Sequence, residues 1–531
     1  MDRKKFEKKY EGLSPFELKN KLIDMAGSLR EKIMLNAGRG NPNWVATKSR
    51  EAFFLFGEFA IEEGHRVLSR PGMAGAPDSK GMAKRFEEFC RIRAEHRGAQ
   101  FLADAYTYAI KNLGLNGDEF IGEMVDAILG DHYPTPDRVL KNTEKILRAF
   151  LDVTMCDGNP PPGTMDLFAV EGGTAAMTYI FNTLRENGLI SPGNKIALGT
   201  PIFTPYLEIP VLNDYELVVI EIEQDEEKNW QYPDSELEKL ADPAIKAFFL
   251  VNPSNPTSVK MTGRSLDKIA ELVNTRRRDL IILTDDVYGT FVDGFRSLVA
   301  IAPRNTILVY SFSKYFGATG WRLGVIGIYR DNVMDEMIAG LPQDKRHELR
   351  QRYQPITTDP DRLKLIERLV ADSRAVALNH TAGLSTPQQV MMVFFCFQEL
   401  LDTDSYLYRK EARDLIRERF ETLYAGLGVE PPQLSGYARY YTTIDIPKLA
   451  RTRHGDAFSK WLDDTHEPID FVWRLAEEKG IVLMDGGGFD APEMSVRVSL
   501  ANLFTSDYDK IGKGISALLE EYRKEWEAGQ K

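Results

Sequence analysis

Between about residues 165 and 330 the chain carries a succession of short apolar runs. Ile196 to Gly199, Ala247 to Val251, Leu280 to Thr284 and Thr306 to Tyr310 are the clearest. Each is long enough for a buried strand and too short for a buried helix. Helical patterns separate them. Strands that are apolar on both faces and alternate with helices dictate a mostly parallel sheet covered by helices, an α/β architecture. In an open sheet of this kind, ligand-binding groups gather in the loops that leave the strand ends. Those loops are therefore where chemistry is to be sought.

The loop after Thr306 to Tyr310 reads Ser311-Phe312-Ser313-Lys314-Tyr315-Phe316-Gly317 and runs on to Gly320-Trp321-Arg322-Leu323-Gly324. A lysine just after a buried strand, among small and hydroxyl residues, is a poor choice for packing. A desolvated lysine near other cations shifts its pKa downward, which suits imine formation and proton shuttling. Phe168-Ala169-Val170-Glu171-Gly172-Gly173-Thr174 reads as strand, glycine turn and helix start. That order presents the free N–H groups of Gly173 and Thr174, and a positive helix end, to a phosphate. The two prolines of Asn252-Pro253-Ser254-Asn255-Pro256 fix a rigid turn. Asp285-Asp286-Val287-Tyr288 closes another run, and Arg497 stands between two valines in a strand-like stretch, an expensive place for an unpaired charge. Near the N-terminus, Gly38-Arg39-Gly40 lets backbone pass close to a ligand.

These motifs, in this order, resemble the aspartate aminotransferase family of fold-type I pyridoxal-phosphate (PLP) enzymes. The resemblance implies a large domain with a mostly parallel seven-stranded sheet and a smaller α+β domain. It makes Lys314 the catalytic lysine and covalent anchor of PLP. Gly173, Thr174, Ser311 and Arg322 are assigned to the phosphate, Ser313 to the cofactor site, and Phe203 to the face of the ring. Asn255 and Tyr288 donate to the phenolic oxygen, while Asp285 pairs with the pyridine nitrogen. A buried carboxylate there keeps the ring protonated, which makes it a better electron sink. Tyr133, in His132-Tyr133-Pro134-Thr135-Pro136, is expected to reach the phosphate of a neighbouring subunit's cofactor. Arg497 is expected to grip the substrate α-carboxylate through two parallel hydrogen bonds, with Asn255 and Gly40 beside it. Thr381, in Asn379-His380-Thr381-Ala382-Gly383, belongs to a segment that faces the partner's site. Two departures are mild: Ser258 and Asp286 stand where the family usually has Gly and Glu.

The chain has 531 residues and a net charge of −12. The acidic balance speaks against a nucleic-acid partner, which would leave a basic footprint. Three widely spaced cysteines offer neither a disulfide framework nor a metal site, and suit a reducing, cytoplasmic location. No signal peptide is readable and no apolar run approaches roughly 18–20 residues, so no membrane association is expected. The expected layout is an N-terminal arm and pocket segment over 1–50, an extra helical block over 51–130, and the PLP-binding domain over 131–400. The small domain over 401–531 is expected to pack with the N-terminal segment. The helical centre of the arm is placed around Phe16 to Leu29. A charged insert over 331–375 reads as solvated or subunit-bridging helices.

The helical block before Tyr133, the charged insert and the 379–389 segment look like the β-decarboxylating branch of the same family. That resemblance implies conversion of L-aspartate to L-alanine and CO2. A side aminotransferase activity takes aspartate and 2-oxoglutarate to oxaloacetate and glutamate, and pyruvate rescues stranded cofactor. It also implies a homodimer with shared sites, assembled into a dodecamer. Arg39 is the expected partner of the distal carboxylate, with Arg374 and Lys19 as rivals. The alternatives are a plain aspartate or aromatic aminotransferase and, from another class, a transcription regulator built on this fold. The acidic chain and Arg497 argue against the regulator.

Overall fold

The computed structural model describes residues 8–10, 13–27, 34–212, 215–402 and 407–530. Its centre is a seven-stranded sheet: β1 (Met165–Val170), β2 (Lys195–Thr200), β3 (Val218–Glu223), β4 (Ile245–Val251), β5 (Ile281–Asp285), β6 (Thr306–Ser311) and β7 (Gly324–Tyr329). The spatial order is β1-β7-β6-β5-β4-β2-β3. β2 to β6 are parallel, whereas β7 runs antiparallel between β1 and β6. Burial of β1, β4, β5, β6 and β7 on both faces explains their near-continuous apolar sequence. The register sets Val251 opposite Asp285 and Asp285 opposite Val309. The C-terminal ends of β4, β5 and β6 are thus level, and the loops bearing Asn255, Asp285 and Lys314 open on the same side.

Before the sheet stand helices α1 (Pro15–Gly27), α2 (Thr47–Val67), α3 (Met82–Ile92), α4 (Arg97–Lys111), α5 (Gly117–Leu129) and α6 (Lys141–Met155). Ser28 and Leu29, at the end of the expected N-terminal helix, lie outside the described residues. Helix α7 (Gly173–Glu186) leaves β1 and packs on β6 and β7. Helix α8 (Thr386–Leu400) is buried on every side and packs against α6, α2 and α5, which explains its unbroken Val390–Phe397 apolar stretch. Phe56 of α2 meets Phe86 and Phe394 edge-on, with ring centroids 5.6 and 5.8 Å apart. The extra helical block is therefore fused to the sheet through α8.

The charged insert is less solvated than its composition suggests. It folds into helices Val333–Ala339, Gln343–Tyr353 and Leu365–Asp372, and the last packs on α7. Tyr353, Arg368 and Asp372 are buried there. Arg352 pairs with Asp372 at 2.9 Å, and Asn187 bonds to both Tyr353 and Asp372. Charge alternation in sequence conceals this polar core because its members pair with one another.

The C-terminal part contains α9 (Leu407–Leu427), the strands β8 (Tyr441–Asp445), β9 (Met484–Asp485) and β10 (Ser495–Ser499), and α10 (Thr505–Gly529), which packs along α9. The strand order is β8-β10-β9, so Arg497 sits on the central strand opposite Thr443 and Met484. Strand β8 begins only at Tyr441, after Gly436 and Arg439 have turned the backbone through positive φ. Leu35–Asn36 pairs in parallel with Ile481–Val482, drawing the Gly38-Arg39-Gly40 segment across the small sheet. Among the described residues, no helix is long and apolar enough to cross a membrane, and no cluster of His, Cys, Asp and Glu could hold a metal.

Candidate active site

One pocket collects the loops at the C-terminal ends of the strands. Gly173, Thr174, Ser311, Ser313 and Arg322 line one end. Helix α7 starts there without a side-chain cap, so its first N–H groups face the pocket. Gly172 has φ +88, and a Cβ on it would collide with the Arg322 guanidinium. Arg322 donates to the carbonyls of Thr319 at 2.9 Å and Glu171 at 3.2 Å, and Ser311 Oγ donates to Ser313 Oγ at 3.0 Å. A guanidinium, two hydroxyls and a free helix start converge as a phosphate demands.

The Glu171 side chain is held from outside. Arg374 pairs with its Oε1 at 2.7 Å and Tyr179 donates to its Oε2 at 3.1 Å. Arg374 thus steadies the glycine turn from the charged insert and does not line the pocket.

Deeper in, Asp285 accepts from the Tyr206 hydroxyl at 2.7 Å and from the Val287 N–H at 3.2 Å. Among the described residues no lysine or arginine forms an ion pair with it. Burial pushes its carboxyl up, against the pull of Tyr206, Val287 and the Lys314 charge. Phe203 lines the pocket and meets Tyr206 and Phe16 edge-on, at 5.4 and 5.7 Å. Tyr288 donates to the Tyr441 hydroxyl at 3.1 Å. Burial raises both phenols, but Lys314, Arg497 and that hydrogen bond outweigh it at Tyr441 and leave it below its ordinary value. Ser258 has φ +59, the conformation that makes Gly usual there, and its hydroxyl compensates by accepting the Tyr441 N–H at 2.9 Å.

Lys314 Nζ donates to the carbonyl of Gly40 at 3.0 Å, and so does Tyr440 at 2.8 Å. A Cβ on Gly40 would lie 3.2 Å from Lys314 Nζ and collide with the Tyr441 hydroxyl. Only glycine lets this backbone cross the mouth of the pocket.

Arg497 is 2% exposed. It donates to Asn255 Oδ1 at 3.1 Å, to the Gly38 carbonyl at 2.9 Å and toward Met484 Sδ at 2.8 Å, and lies over Tyr441 and Phe489. All of these partners are neutral, and its Nε is buried without a hydrogen bond. Burial pulls its pKa down. Lys19 of α1 lies against Gly38, and burial, then Arg39, then Arg497, lower its ammonium. Arg39 itself is exposed at the rim.

Of the residues expected from sequence, Gly173, Thr174, Phe203, Asn255, Asp285, Tyr288, Ser311, Ser313, Lys314 and Arg322 line this pocket, and Gly40 and Arg497 bond to its lining. Tyr133 and Thr381 do not line it. Tyr133 is 62% exposed and stands edge-on to His380 at 5.9 Å, and the Thr381 hydroxyl bonds within its own turn to Leu378. Sequence reasoning missed Tyr206, Tyr441 and Thr319, which no motif singles out.

The profile of the family described as Aminotransferase class I and II matches residues 166–515. The chain is 49% identical over 518 residues to a Pseudomonas sp protein named bifunctional aspartate aminotransferase and L-aspartate beta-decarboxylase, covering 97% of each. Among solved structures, a tetra mutant of Thermus thermophilus aspartate aminotransferase superposes with a TM-score of 0.58 at 16% identity, over 92% of this chain and 98% of that one. An aromatic aminotransferase from Pyrococcus horikoshii OT3 gives 0.56 at 18% identity, over 94% of this chain and 99% of that one. With lysine, aspartate and arginine converging on one pocket of this sheet, the chain belongs to the class I and II aminotransferase family.

Proposed function

We propose that this chain is a PLP-dependent L-aspartate β-decarboxylase, yielding L-alanine and CO2, with aspartate aminotransferase activity at the same site. The family uses PLP, and the residues fit it. Among the described residues, Asp285 is a buried carboxylate with no ion-paired lysine or arginine, the Gly172–Arg322 cradle has no room for a side chain, and Lys314 is the one amine on the pocket wall. Gly173, Thr174, Ser311, Ser313 and Arg322 would hold the phosphate, Phe203 the ring face, and Asn255 and Tyr288 the phenolic oxygen. Bound there, PLP supplies an electron sink for the pair released when a bond to the substrate's α-carbon hydrogen or β-carboxylate breaks.

The observation that carries the substrate is the arrangement of three cations. Arg497 is buried with neutral partners only, and Lys19 and Arg39 lie close enough for their charges to be felt together. A buried guanidinium without a counter-ion is costly, and a substrate α-carboxylate offsets that cost through a bidentate pair. Lys19 and Arg39 then face the distal carboxylate of a dicarboxylic amino acid. Lys314 Nζ removes the α-proton and returns it, as a positioned general base and acid. Tyr441, held near Lys314 by Tyr288 and Ser258, fixes the amine's direction. Where CO2 leaves, the β-carbon gains a proton, and alanine results. The Pseudomonas relative's name matches this chemistry.

Tyr133 and His380 meet at the surface of one chain, which supports a homodimer in which this corner completes the neighbour's site. A dodecamer, with the 51–130 block and the 331–375 insert in its contacts, extends that reading; sedimentation velocity tests it. Cys90, Cys156 and Cys396 are free and buried, in keeping with a reducing cytoplasm.

The test is purified holoenzyme with L-aspartate, following alanine, CO2, oxaloacetate and the absorption spectrum together. Alanine and CO2 in equal amounts are expected. Oxaloacetate and glutamate formed with 2-oxoglutarate, without alanine, would establish a plain aminotransferase. A colourless protein with no borohydride-stable adduct at Lys314 would remove the cofactor assignment.

A further inference from the structure

Behind the wall of the active site lies a second groove, of about 890 Å³, within the size range of small-ligand sites. Six lysines and arginines line it against three aspartates, in a chain whose net charge is −12. Part of that charge is matched inside the protein. Arg409 pairs with Glu399, Arg413 with Asp293, and Arg417 with Asp414. Neither Lys260 nor Arg439 forms an ion pair with a carboxylate among the described residues, although the charges of Asp157 and Asp293 reach Lys260. Lys260 Nζ donates to the carbonyls of Asp293 and Gly294, at 2.8 and 3.0 Å. The Arg439 guanidinium lies over Phe420 and Tyr437, and its one hydrogen bond is a long one, 3.5 Å, to the Tyr437 carbonyl. Arg439 also holds φ at +54, a conformation that costs a non-glycine residue energy and that recurs at functional sites.

The segments that line the groove are the same ones that build the active site. Lys260 follows the Asn255 turn, Asp293 follows Tyr288, and Arg439 directly precedes Tyr440 and Tyr441. They are stitched together by backbone hydrogen bonds from Lys260 to Gly436 at 3.0 Å and from Ala438 to Ser258 at 2.8 Å.

We propose that this groove binds a small multivalent anion, bearing phosphate or carboxylate groups, between Lys260 and Arg439. Such a ligand spans the sheet-bearing part of the chain and the part that carries Tyr441. It supplies the direct ion pair that the two side chains lack, and the planar Arg439 fork suits an oxyanion in particular. The groove is separate from the cofactor and substrate pocket, so the inference stands whether or not the decarboxylase reading does.

The experiment is isothermal titration of the holoenzyme, its cofactor phosphate end already filled, with inorganic pyrophosphate and separately with citrate at constant ionic strength. One saturable site per chain is expected for at least one probe. The tighter probe assigns phosphate or carboxylate chemistry. Lys260→Gln and Arg439→Gln should each weaken binding about tenfold, with thermal melts confirming that both variants fold. Heats that never saturate, or affinities unchanged in two folded variants, would overturn the proposal. If either variant fails to fold, Lys410→Gln, on the exposed side of the same groove, provides the comparison.

Discussion

The Tyr206 hydroxyl donates to Asp285 at 2.7 Å and, together with the Lys314 charge, supports a carboxylate that forms no ion pair with a lysine or arginine among the described residues. Burial drives the Asp285 pKa up, and Tyr206 is the first of the groups that oppose it. A hydrogen bond to a charged group contributes about 1.5–3 kcal/mol, which corresponds to roughly one to two pH units. Tyr206→Phe should therefore move the acid limb of the kcat/KM profile to higher pH by about that amount. Profiles that superimpose would show that Tyr206 does not support the ionised carboxylate.

Arg497 makes a second prediction, on binding. Its guanidinium bonds Asn255 and Gly38 and keeps Nε without a partner. Lysine keeps the charge but loses the planar fork. Arg497→Lys should raise the KM for aspartate on the order of 100-fold, about 2–3 kcal/mol. The reaction with alanine should suffer equally, because both substrates carry the α-carboxylate. Steady-state kinetics on the two substrates decide it, and a loss confined to aspartate would place Arg497 at the distal group instead.

The parts of this site that are legible in sequence lie at the ends of apolar runs. Asp285 ends a buried strand, Lys314 and Asn255 stand in the loops just after two others, and Arg497 interrupts a fourth, so burial itself announces them. Tyr206 and Tyr441 give no such signal. Tyr206 rides on the five-residue helix Thr204–Glu208, and Tyr441 begins a strand in which aromatics are ordinary. What selects them is the tertiary approach of β8 and the β5 loop. The antiparallel β7 is equally silent, because a strand buried on both faces reads the same in either direction. Lys19 and Arg497 come from opposite ends of the chain, and their proximity depends on the pairing of Leu35–Asn36 with Ile481–Val482.

Lys19 and Arg39 should separate the two carboxylates of the substrate. Arg39 is exposed at the rim, where a charge pair contributes on the order of 1 kcal/mol. Arg39→Ala should lower aspartate decarboxylation roughly fivefold and leave the reaction with alanine nearly unchanged. Lys19 is more enclosed, and burial and the neighbouring Arg39 and Arg497 lower its ammonium. Lys19→Ala should thus cost more than Arg39→Ala with aspartate. Alanine production and alanine transamination, measured on the same preparations, test both. Equal losses on the two substrates would dismiss the distal-carboxylate role.

Asp286, beside the functional Asp285, makes a prediction about stability. It is fully buried, accepts from the Thr284 hydroxyl, and its Oδ2 has no hydrogen-bond partner. Burial pushes its carboxyl up to about 7. The unfolded chain binds the same proton with a pKa of about 3.9. Below that value both states are protonated and the contribution to stability is complete. Between about pH 4 and 7 the unfolded chain releases its proton while the folded one keeps it, so stability falls as pH rises, by about 1.4 kcal/mol per unit. Asp286→Asn has no proton to lose. Its stability relative to the parent chain should rise steadily from pH 5 to 7 in urea unfolding series run side by side. A difference that stays flat across that range would mean that Asp286 is already ionised in the folded protein.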